Sequence, residues 1–480
     1  MAIDHRPAWV ADAVFYQIFP DRFARSERLP KPSNLEPWDV APSVHGYKGG
    51  DLYGVVEHLD WLTDLGVNAL YFNPIFQSAS NHRYHTHDYD HVDPLLGGNA
   101  ALDELLDAAH ERGMRVVLDG VFNHCSRGFF QFNDILENGQ GSPWLDWFHV
   151  HESRPNAYDH SRAPGYDAWW GLHALPKFNT DNAQVREFLM QVGEQWVRRG
   201  IDGWRLDVPE EITTPGFWEE FRERVRAVDP DAYIVGEIWR AAPDWIGEQP
   251  RFDGVMNYPL GEAILRFVAG ERIDAEVVEP INLTLTPALD AAGYAMAIDG
   301  LLGVYPEAAH RANLNVLDSH DTPRVLSMVG EDRDSVALAV TLLMTFTGAP
   351  CVYYGDEIGM SGHHDPFSRG AFPWDFPHEW HEGTLETYRS LIALRHATPA
   401  LRYGDYRHVL TEGPVYAFER RFEGDRVLVV VNTADQPVHP WVGLEGTAAT
   451  RIHGDGEAAL GGGILRLAVP ARRAVVFRIE

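Results

Sequence analysis

Ile201-Asp202-Gly203-Trp204-Arg205-Leu206-Asp207-Val208 is the stretch from which the architecture can be read. It predicts a short buried strand ending on a carboxylate, because Ile201, Trp204, Leu206 and Val208 supply the bulk that a pleated, buried surface favours. Arg205 and Asp207 are two residues apart and project to the same side of the strand. A guanidinium beside a carboxylate stabilises the anion, so Arg205 is expected to keep Asp207 ionised. A carboxylate in that state at a strand end is a nucleophile candidate. Two further acids stand in similar contexts. Glu237 follows Tyr233-Ile234-Val235-Gly236, and Asp321 follows Val316-Leu317-Asp318-Ser319-His320. Three strand ends, each delivering an acid, predict one mouth where the strands converge.

Working outward, apolar runs alternate with helical spacing. Strands are expected at 13–19, 67–72, 115–119, 201–208, 233–238, 252–260, 314–317 and 350–354. Helices are expected at 55–65, 101–112, 183–199, 217–228, 261–268, around 288–312, at 335–346 and at 385–396. Eight strand–helix pairs in this order predict an α/β fold, a parallel (β/α)8 barrel. The alternative, an open doubly wound sheet, would be favoured by a glycine-rich phosphate loop after an early strand, and Lys48-Gly49-Gly50-Asp51-Leu52 is too short a signal for one. Residues 125–180 interrupt the alternation with Gly, Pro, Asn and aromatics and predict an inserted subdomain. The barrel then comprises 1–124 and 181–400. Beyond Thr398-Pro399, alternating runs at 415–422, 426–432, 463–469 and 474–479 predict an antiparallel β domain over 401–480.

With 70 acidic against 40 basic side chains, the formal net charge is -30. That charge argues against nucleic acid or an anionic membrane as partner. The longest apolar run, 336–346, is too short to span a bilayer. Cys125 and Cys351 are the two cysteines, so no disulfide framework exists, and no apolar signal core follows Met1. A cytoplasmic protein, monomer or homodimer, is the expectation.

Barrel enzymes collect their chemistry at the C-terminal ends of the strands. There stand Asp119, Asn123 and His124, then Arg205 and Asp207, then Glu237, then His320 and Asp321. The stretches Asp119-Gly120-Val121-Phe122-Asn123-His124, Gly203-Trp204-Arg205-Leu206-Asp207, Gly236-Glu237-Ile238-Trp239 and Leu317-Asp318-Ser319-His320-Asp321 resemble, in order and context, the α-amylase family of glycoside hydrolases. The resemblance covers nearly the whole chain. It implies a domain B in the inserted segment and a β-sandwich at the end. It also implies Asp207 as nucleophile, Glu237 as general acid/base and Asp321 as a stabiliser that binds sugar hydroxyls. In such a reaction one carboxylic acid protonates the leaving oxygen while a carboxylate attacks the other face of the sugar. Burial near Trp239 is expected to keep Glu237 protonated, and Arg205 to keep Asp207 charged. His124 and His320 resemble family residues that hydrogen-bond the sugar being cleaved. In Asn81-His82-Arg83-Tyr84, the resemblance makes Tyr84 a ring that stacks on this sugar, with His82 beside it. Asp365-Pro366-Phe367-Ser368-Arg369 resembles a clamp, Asp365 with Arg369, for the next sugar.

Leu175-Pro176-Lys177-Phe178-Asn179 and Tyr16-Gln17-Ile18-Phe19-Pro20-Asp21-Arg22-Phe23 are similar to the neopullulanase, cyclomaltodextrinase and maltogenic amylase group. This implies a retaining hydrolase of α-1,4-glucosidic bonds in maltooligosaccharides, cyclodextrins, starch or pullulan, with some transglycosylation. Val208-Pro209-Glu210-Glu211 departs from the Val-Ala-Asn-Glu often found there. The rivals are a metal-dependent barrel hydrolase, prompted by His85-Thr86-His87, and a non-catalytic glycan-binding barrel that kept the fold. No cofactor and no metal are expected. Related enzymes often bind a structural calcium through residues after Asp-Arg-Phe and a later Gly-Gly-Asp. This chain keeps Gly49-Gly50-Asp51, but Arg25 and Arg28 flank the first half of the site and are expected to supply the charge that pairs with Asp51.

Overall fold

The computed structural model describes residues 6–247, 250–281 and 283–480. Eight parallel strands form the barrel: β1 Phe15–Ile18, β2 Ala69–Phe72, β3 Arg115–Gly120, β4 Gly203–Leu206, β5 Tyr233–Gly236, β6 Gly254–Val255, β7 Leu314–Asn315 and β8 Ala349–Tyr353. Hydrogen bonding runs in the order β6-β5-β4-β3-β2-β1-β8-β7. A parallel bridge from Met256 to Leu314 joins the two ends, so the sheet closes. Seven of these strands are buried at every residue, which is why they read as continuous apolar runs; in β3 only Arg115 is exposed.

The helices at 183–199 and 217–228 form as the spacing predicts. Asn182 caps the first by accepting from the Gln184 and Val185 N–H groups, and Gly200 ends it at φ 117°. Three expectations change. The helix expected over 55–65 is two, Leu52–Glu57 and Leu59–Leu65, parted at His58, whose backbone leaves the helical region. The strand expected over 252–260 is two residues long, and a helix starts at Tyr258 with Pro259 in its first turn. Proline in a first helical turn costs no hydrogen bond, and its fixed φ suits the helix, so the apolar run divides there. The region 288–312 is two helices, Ala291–Val304 and Glu307–Ala312, separated at Pro306.

Between β3 and the helix at 183–199, the inserted segment carries the helix Phe130–Asn138 and a core of aromatic contacts. Phe132 meets Phe148 at 4.9 Å and Tyr166 at 4.7 Å between ring centroids. The bridge His124–Lys177 stitches the segment's end back to the end of β3.

The C-terminal region holds a five-stranded and a three-stranded antiparallel sheet. Strand alternation splits the larger sheet into two faces. Val415, Ala417, Leu428 and Val430 pack against Leu465 and Leu467 of the smaller sheet. Tyr416, Phe418, Val429 and Val431 face the other way and join the barrel core. The strands of this region that sequence reading did not find, 405–412, 441–443, 449–454 and 457–461, contain no fully buried residue, so they lack the apolar runs that mark the others. Among the described residues, no helix is long and apolar enough to cross a membrane.

Candidate active site

The C-terminal ends of the barrel strands, the inserted segment and the loop after β8 enclose a cleft of about 680 Å³. Its lining includes Asp207, Glu237 and Asp321, together with His82, Tyr84, His124, Trp239, Asp365 and Arg369. His320 and Arg205 lie beneath it, fully buried. All eleven residues picked out from the sequence therefore meet in one place.

Arg205 organises the floor. Its Nη1 donates to Asp119 Oδ1 at 2.9 Å and to Asp207 Oδ1 at 3.0 Å. Its Nη2 stands 3.0 Å from Glu237 Oε2, an ion pair poorly aligned for a hydrogen bond. One guanidinium thus serves three carboxyls, which corrects the expectation for Asp207. Burial, reinforced by the charge of Glu237, pushes the Asp207 carboxyl well above its ordinary range, and the shared Arg205 does not offset this. Burial and Glu237 also push Asp321 up to about 7. Excess buried negative charge therefore retains protons in the site near neutral pH.

Glu237 accepts from Trp239 Nε1 at 3.0 Å and from the Val208 N–H at 3.0 Å. Trp239 lies stacked on Tyr258 at 3.9 Å, so its indole N–H is fixed in direction. The wall beside Glu237 therefore offers a donor as well as an apolar face. Val208 occupies φ 35°, ψ 52°, a left-handed conformation in a β-branched residue that precedes a proline. Both features disfavour it, and backbone strain of this kind is characteristic of functional sites. Here the strained residue is the one whose N–H reaches Glu237.

On the opposite wall, Tyr84 Oη donates to Asp119 Oδ2 at 2.8 Å and lies 2.6 Å from His320 Nε2. The two rings are parallel within 3°, with centroids 5.4 Å apart. His82 stacks on Tyr84 at 5.8 Å and accepts the Tyr84 N–H. Arg369 donates through Nε to the His320 carbonyl at 2.9 Å, and its Nη1 pairs with Asp365 at 3.1 Å. Burial holds His82, His124 and His320 below the usual imidazole range, His124 at about 3, so these rings are neutral. His124 Nε2 is buried without a protein partner, which leaves it free for a ligand.

Sequence reasoning missed Gln17 and Asn73. Gln17 Nε2 donates to Asn73 Oδ1 at 3.1 Å and stands 2.9 Å from His320 Nδ1. Asn73 Nδ2 donates to Tyr84 Oη at 3.1 Å. The available signal was a polar side chain within or directly after a buried apolar strand. Trp169 and Trp170 of the inserted segment, also lining the cleft, were missed too. By contrast, His85 packs edge-on against His82, and His91 pairs with Asp88 in solvent. No group of three or more metal-binding side chains converges among the described residues.

The region after β1 departs from expectation in one detail. Arg25 lies over the Trp38 ring, and Arg28 forms a bidentate pair with Glu104. The cation on Asp51 is Lys31, whose Nζ stands 2.5 Å from Oδ2. Asp51 also accepts the Ser26 and Gly54 N–H groups, so both carboxylate oxygens are engaged by donors. This donor set does not fit a dication, because a cation already occupies the carboxylate.

Residues 17–380 match the α-amylase catalytic domain. A cyclomaltodextrinase from a Bacillus species is 42% identical over 431 residues, covering 89% of this chain and 73% of the relative. The solved structure of a Nostoc punctiforme debranching enzyme is 47% identical, with a TM-score of 0.92 over 98% of this chain and 99% of that one. Cyclic α-maltosyl-(1→6)-maltose hydrolase from Arthrobacter globiformis, solved in complex with cyclic α-maltosyl-(1→6)-maltose, is 35% identical with a TM-score of 0.88, covering 98% and 99% of the two chains. Fold, site and comparisons agree: the chain belongs to the α-amylase family of glycoside hydrolases.

Proposed function

We propose that this protein hydrolyses α-1,4-glucosidic bonds in maltooligosaccharides, cyclodextrins, starch or pullulan with retention of configuration. The observation that carries the reading is the pairing of Asp207 and Glu237 on the two nitrogens of Arg205 at the floor of the cleft. Glu237 gives its proton to the glycosidic oxygen as the C–O bond breaks. Asp207 attacks the anomeric carbon and forms a glycosyl ester. Glu237, now a carboxylate, takes a proton from water, whose oxygen displaces Asp207 and regenerates both groups. A sugar hydroxyl in place of water gives transglycosylation. Asp321, His320 and His124 hold hydroxyls of the sugar being cut, Tyr84 and His82 lie against its ring, and Asp365 with Arg369 clamps the next sugar. Proton delivery needs a protonated Glu237 beside an ionised Asp207. The proton retained by the carboxyl cluster is the one Glu237 passes on once substrate displaces its present contacts.

Cleavage of α-1,6 bonds is a second reading, favoured by likeness to proteins named a debranching enzyme and an α-(1→6)-linked cyclic maltoside hydrolase. A cytoplasmic monomer or homodimer without a metal cofactor completes the proposal. The two free, buried cysteines suit a reducing compartment. The test is proton NMR of fresh digests of maltohexaose, β-cyclodextrin and panose. The α-anomer is expected first. An initial β-anomer, or no cleavage of any of the three, overturns the reading.

A further inference from the structure

The turn that presents His320 and Asp321 is anchored in a second group of acids, which the proposed reaction does not use. Asp318, Asp356 and Glu357 are buried, and so is Arg324. Among the described residues, Arg324 is the one cation paired with any of the three, its Nη1 standing 2.9 Å from Asp356 Oδ1. The same nitrogen donates to Tyr354 O at 2.7 Å, and the guanidinium lies over the rings of Tyr353 at 4.5 Å and Tyr354 at 4.8 Å. Its Nε and Nη2 have no hydrogen-bond partner, so its pairing is spent on Asp356.

One guanidinium cannot neutralise three buried carboxyls, and an unpaired anion in such a place costs more than holding a proton. Glu357 accepts from Tyr16 Oη at 3.0 Å and from the Gly355 N–H at 2.9 Å, and burial pushes it up to about 8. Asp318 and Asp356 hydrogen-bond to each other, which two carboxylates cannot do, so one of them carries a proton. Arg324 stabilises the anion on Asp356. The donor to Asp318 is the neutral Val325 N–H, 2.6 Å from Oδ2. Burial and the facing Asp356 accordingly push Asp318 well above its ordinary range. The proton therefore sits on Asp318, which donates it to Asp356.

This bond joins the segment after β7 to the segment after β8. Within the turn, the Ser319 N–H donates to Thr322 Oγ1 at 2.9 Å and the Asp321 N–H to Ser319 Oγ at 3.2 Å. Asp318 holds both ends of the turn, its own and that of Val325, and fixes them to Asp356. His320 and Asp321 lie between. We propose that Asp318 is a positioning residue for glucan hydrolysis: as a neutral carboxylic acid it latches the 318–325 turn to Asp356 and so sets where His320 and Asp321 meet the sugar. The inference deepens the glucan-hydrolase reading and rests on it.

The other titratable groups facing Asp318 are Cys351 and Tyr353 of β8 and Tyr388 of the helix Glu382–Ala397, with Glu357 beyond Asp356. Burial pushes the thiol and both phenols above their ordinary ranges, so they are uncharged at neutral pH. Asp318 is raised in the folded protein. The latch is therefore whole at low and neutral pH and opens as pH rises through its ionisation.

The test compares Asp318→Asn and Asp318→Ala with the unsubstituted enzyme on maltohexaose, well below the melting temperature of each. Asparagine offers Asp356 an N–H donor and Val325 an oxygen, with no proton to lose, so its kcat is expected to stay near that of the unsubstituted enzyme. Alanine is expected to lower kcat about 100-fold, the loss that a displacement of about 1 Å can cause. From about pH 7 to about pH 10, the unsubstituted enzyme should lose melting temperature and kcat relative to Asp318→Asn, because the amide cannot ionise while every other titrating group is common to both. This comparison stands whether or not the alanine variant folds. A merely structural role would lower the melting temperature of Asp318→Ala and leave its kcat unchanged, which overturns the proposal. An asparagine variant as impaired as the alanine one overturns it too, as does a melting difference that does not change with pH. If the unsubstituted enzyme cleaves no maltohexaose, the glucan-hydrolase reading fails, while the melting comparison still decides whether Asp318 holds the proton.

Discussion

Arg205 Nη1 lies 3.0 Å from Asp207 Oδ1, and the same guanidinium reaches Glu237 through its other nitrogen. The two carboxyls have different neighbours otherwise. Glu237 receives two further N–H donors, whereas Asp207 sits among negative charges. Their proposed roles are therefore not interchangeable. Asp207→Asn and Glu237→Gln are each expected to lower kcat by about three or more powers of ten, because an activated group is lost from a single double displacement. Azide should restore turnover in the Glu237 variant on an activated aryl α-glycoside by displacing Asp207 from the glycosyl ester, giving an α-glycosyl azide with net retention of configuration. Near-normal turnover of maltohexaose by either variant, with unchanged circular dichroism, would refute the assignment.

Asp321 predicts a trade-off between stability and activity. Its carboxyl is held up to about 7, while 31% of the side chain still faces the cleft. An unfolded Asp titrates near about 3.9. Between these values the folded protein retains a proton that the unfolded chain has released. Stability from this group is thus present at low pH and lost as pH rises to about 7. Asp321→Asn cannot ionise, so its melting temperature should gain on the native protein between pH 5 and pH 8, while hydrolysis falls sharply. An equal difference at both pH values would contradict this.

Much of this architecture was legible because buried parallel strands have little choice of composition. Val116, Val117 and Leu118, or Ile234 and Val235, could be read as strands without knowledge of their neighbours. The acids at strand ends were legible for the same reason: a charge directly after an apolar run marks the end of a buried strand. What could not be read was contact between distant elements. Arg205 was visible as a neighbour of Asp207, but its sharing with Asp119 and Glu237 depends on strand order and register. The Gln17–His320 contact spans 303 positions, and neither residue announces the other. Lys31, rather than Arg25 or Arg28, is the partner of Asp51 because the path of the 24–51 loop decides which cation arrives. The edge strands of the C-terminal sheets escaped because solvent imposes no apolar pattern on them.

That Lys31–Asp51 contact gives a prediction about calcium. Asp51 is fully buried, and Lys31 Nζ pairs with its Oδ2. Dialysis against EDTA is expected to leave both activity and melting temperature unchanged. Lys31→Met should instead lower the melting temperature, since removing one partner of a buried pair leaves an uncompensated charge worth about 3–5 kcal/mol, reduced here by the two N–H donors that remain. A fall in melting temperature after EDTA that added calcium reverses would show that an ion is bound, at this site or elsewhere.

Gln17 predicts a tautomer. Its amide N–H₂ group faces Asn73 Oδ1 and His320 Nδ1, so Nδ1 accepts and the ring proton of neutral His320 sits on Nε2. Nε2 then faces Tyr84 Oη at 2.6 Å and Asp321 Oδ2 at 3.1 Å, on the side of the cleft where sugar hydroxyls are expected to bind. Gln17→Glu keeps the shape but replaces the donor with an acceptor. His320 must then protonate Nδ1, either by moving its proton away from the cleft or by becoming an imidazolium. Turnover is expected to fall about 100-fold or more, since a correctly placed proton is typically worth about 10²–10⁴-fold. A merely structural role for Gln17 would lower the melting temperature without altering the ring. Nitrogen-15 spectra of His320 separate the two outcomes: Nδ1 should change from unprotonated to protonated in the variant. If it stays unprotonated while activity falls, Gln17 does not act through the His320 proton.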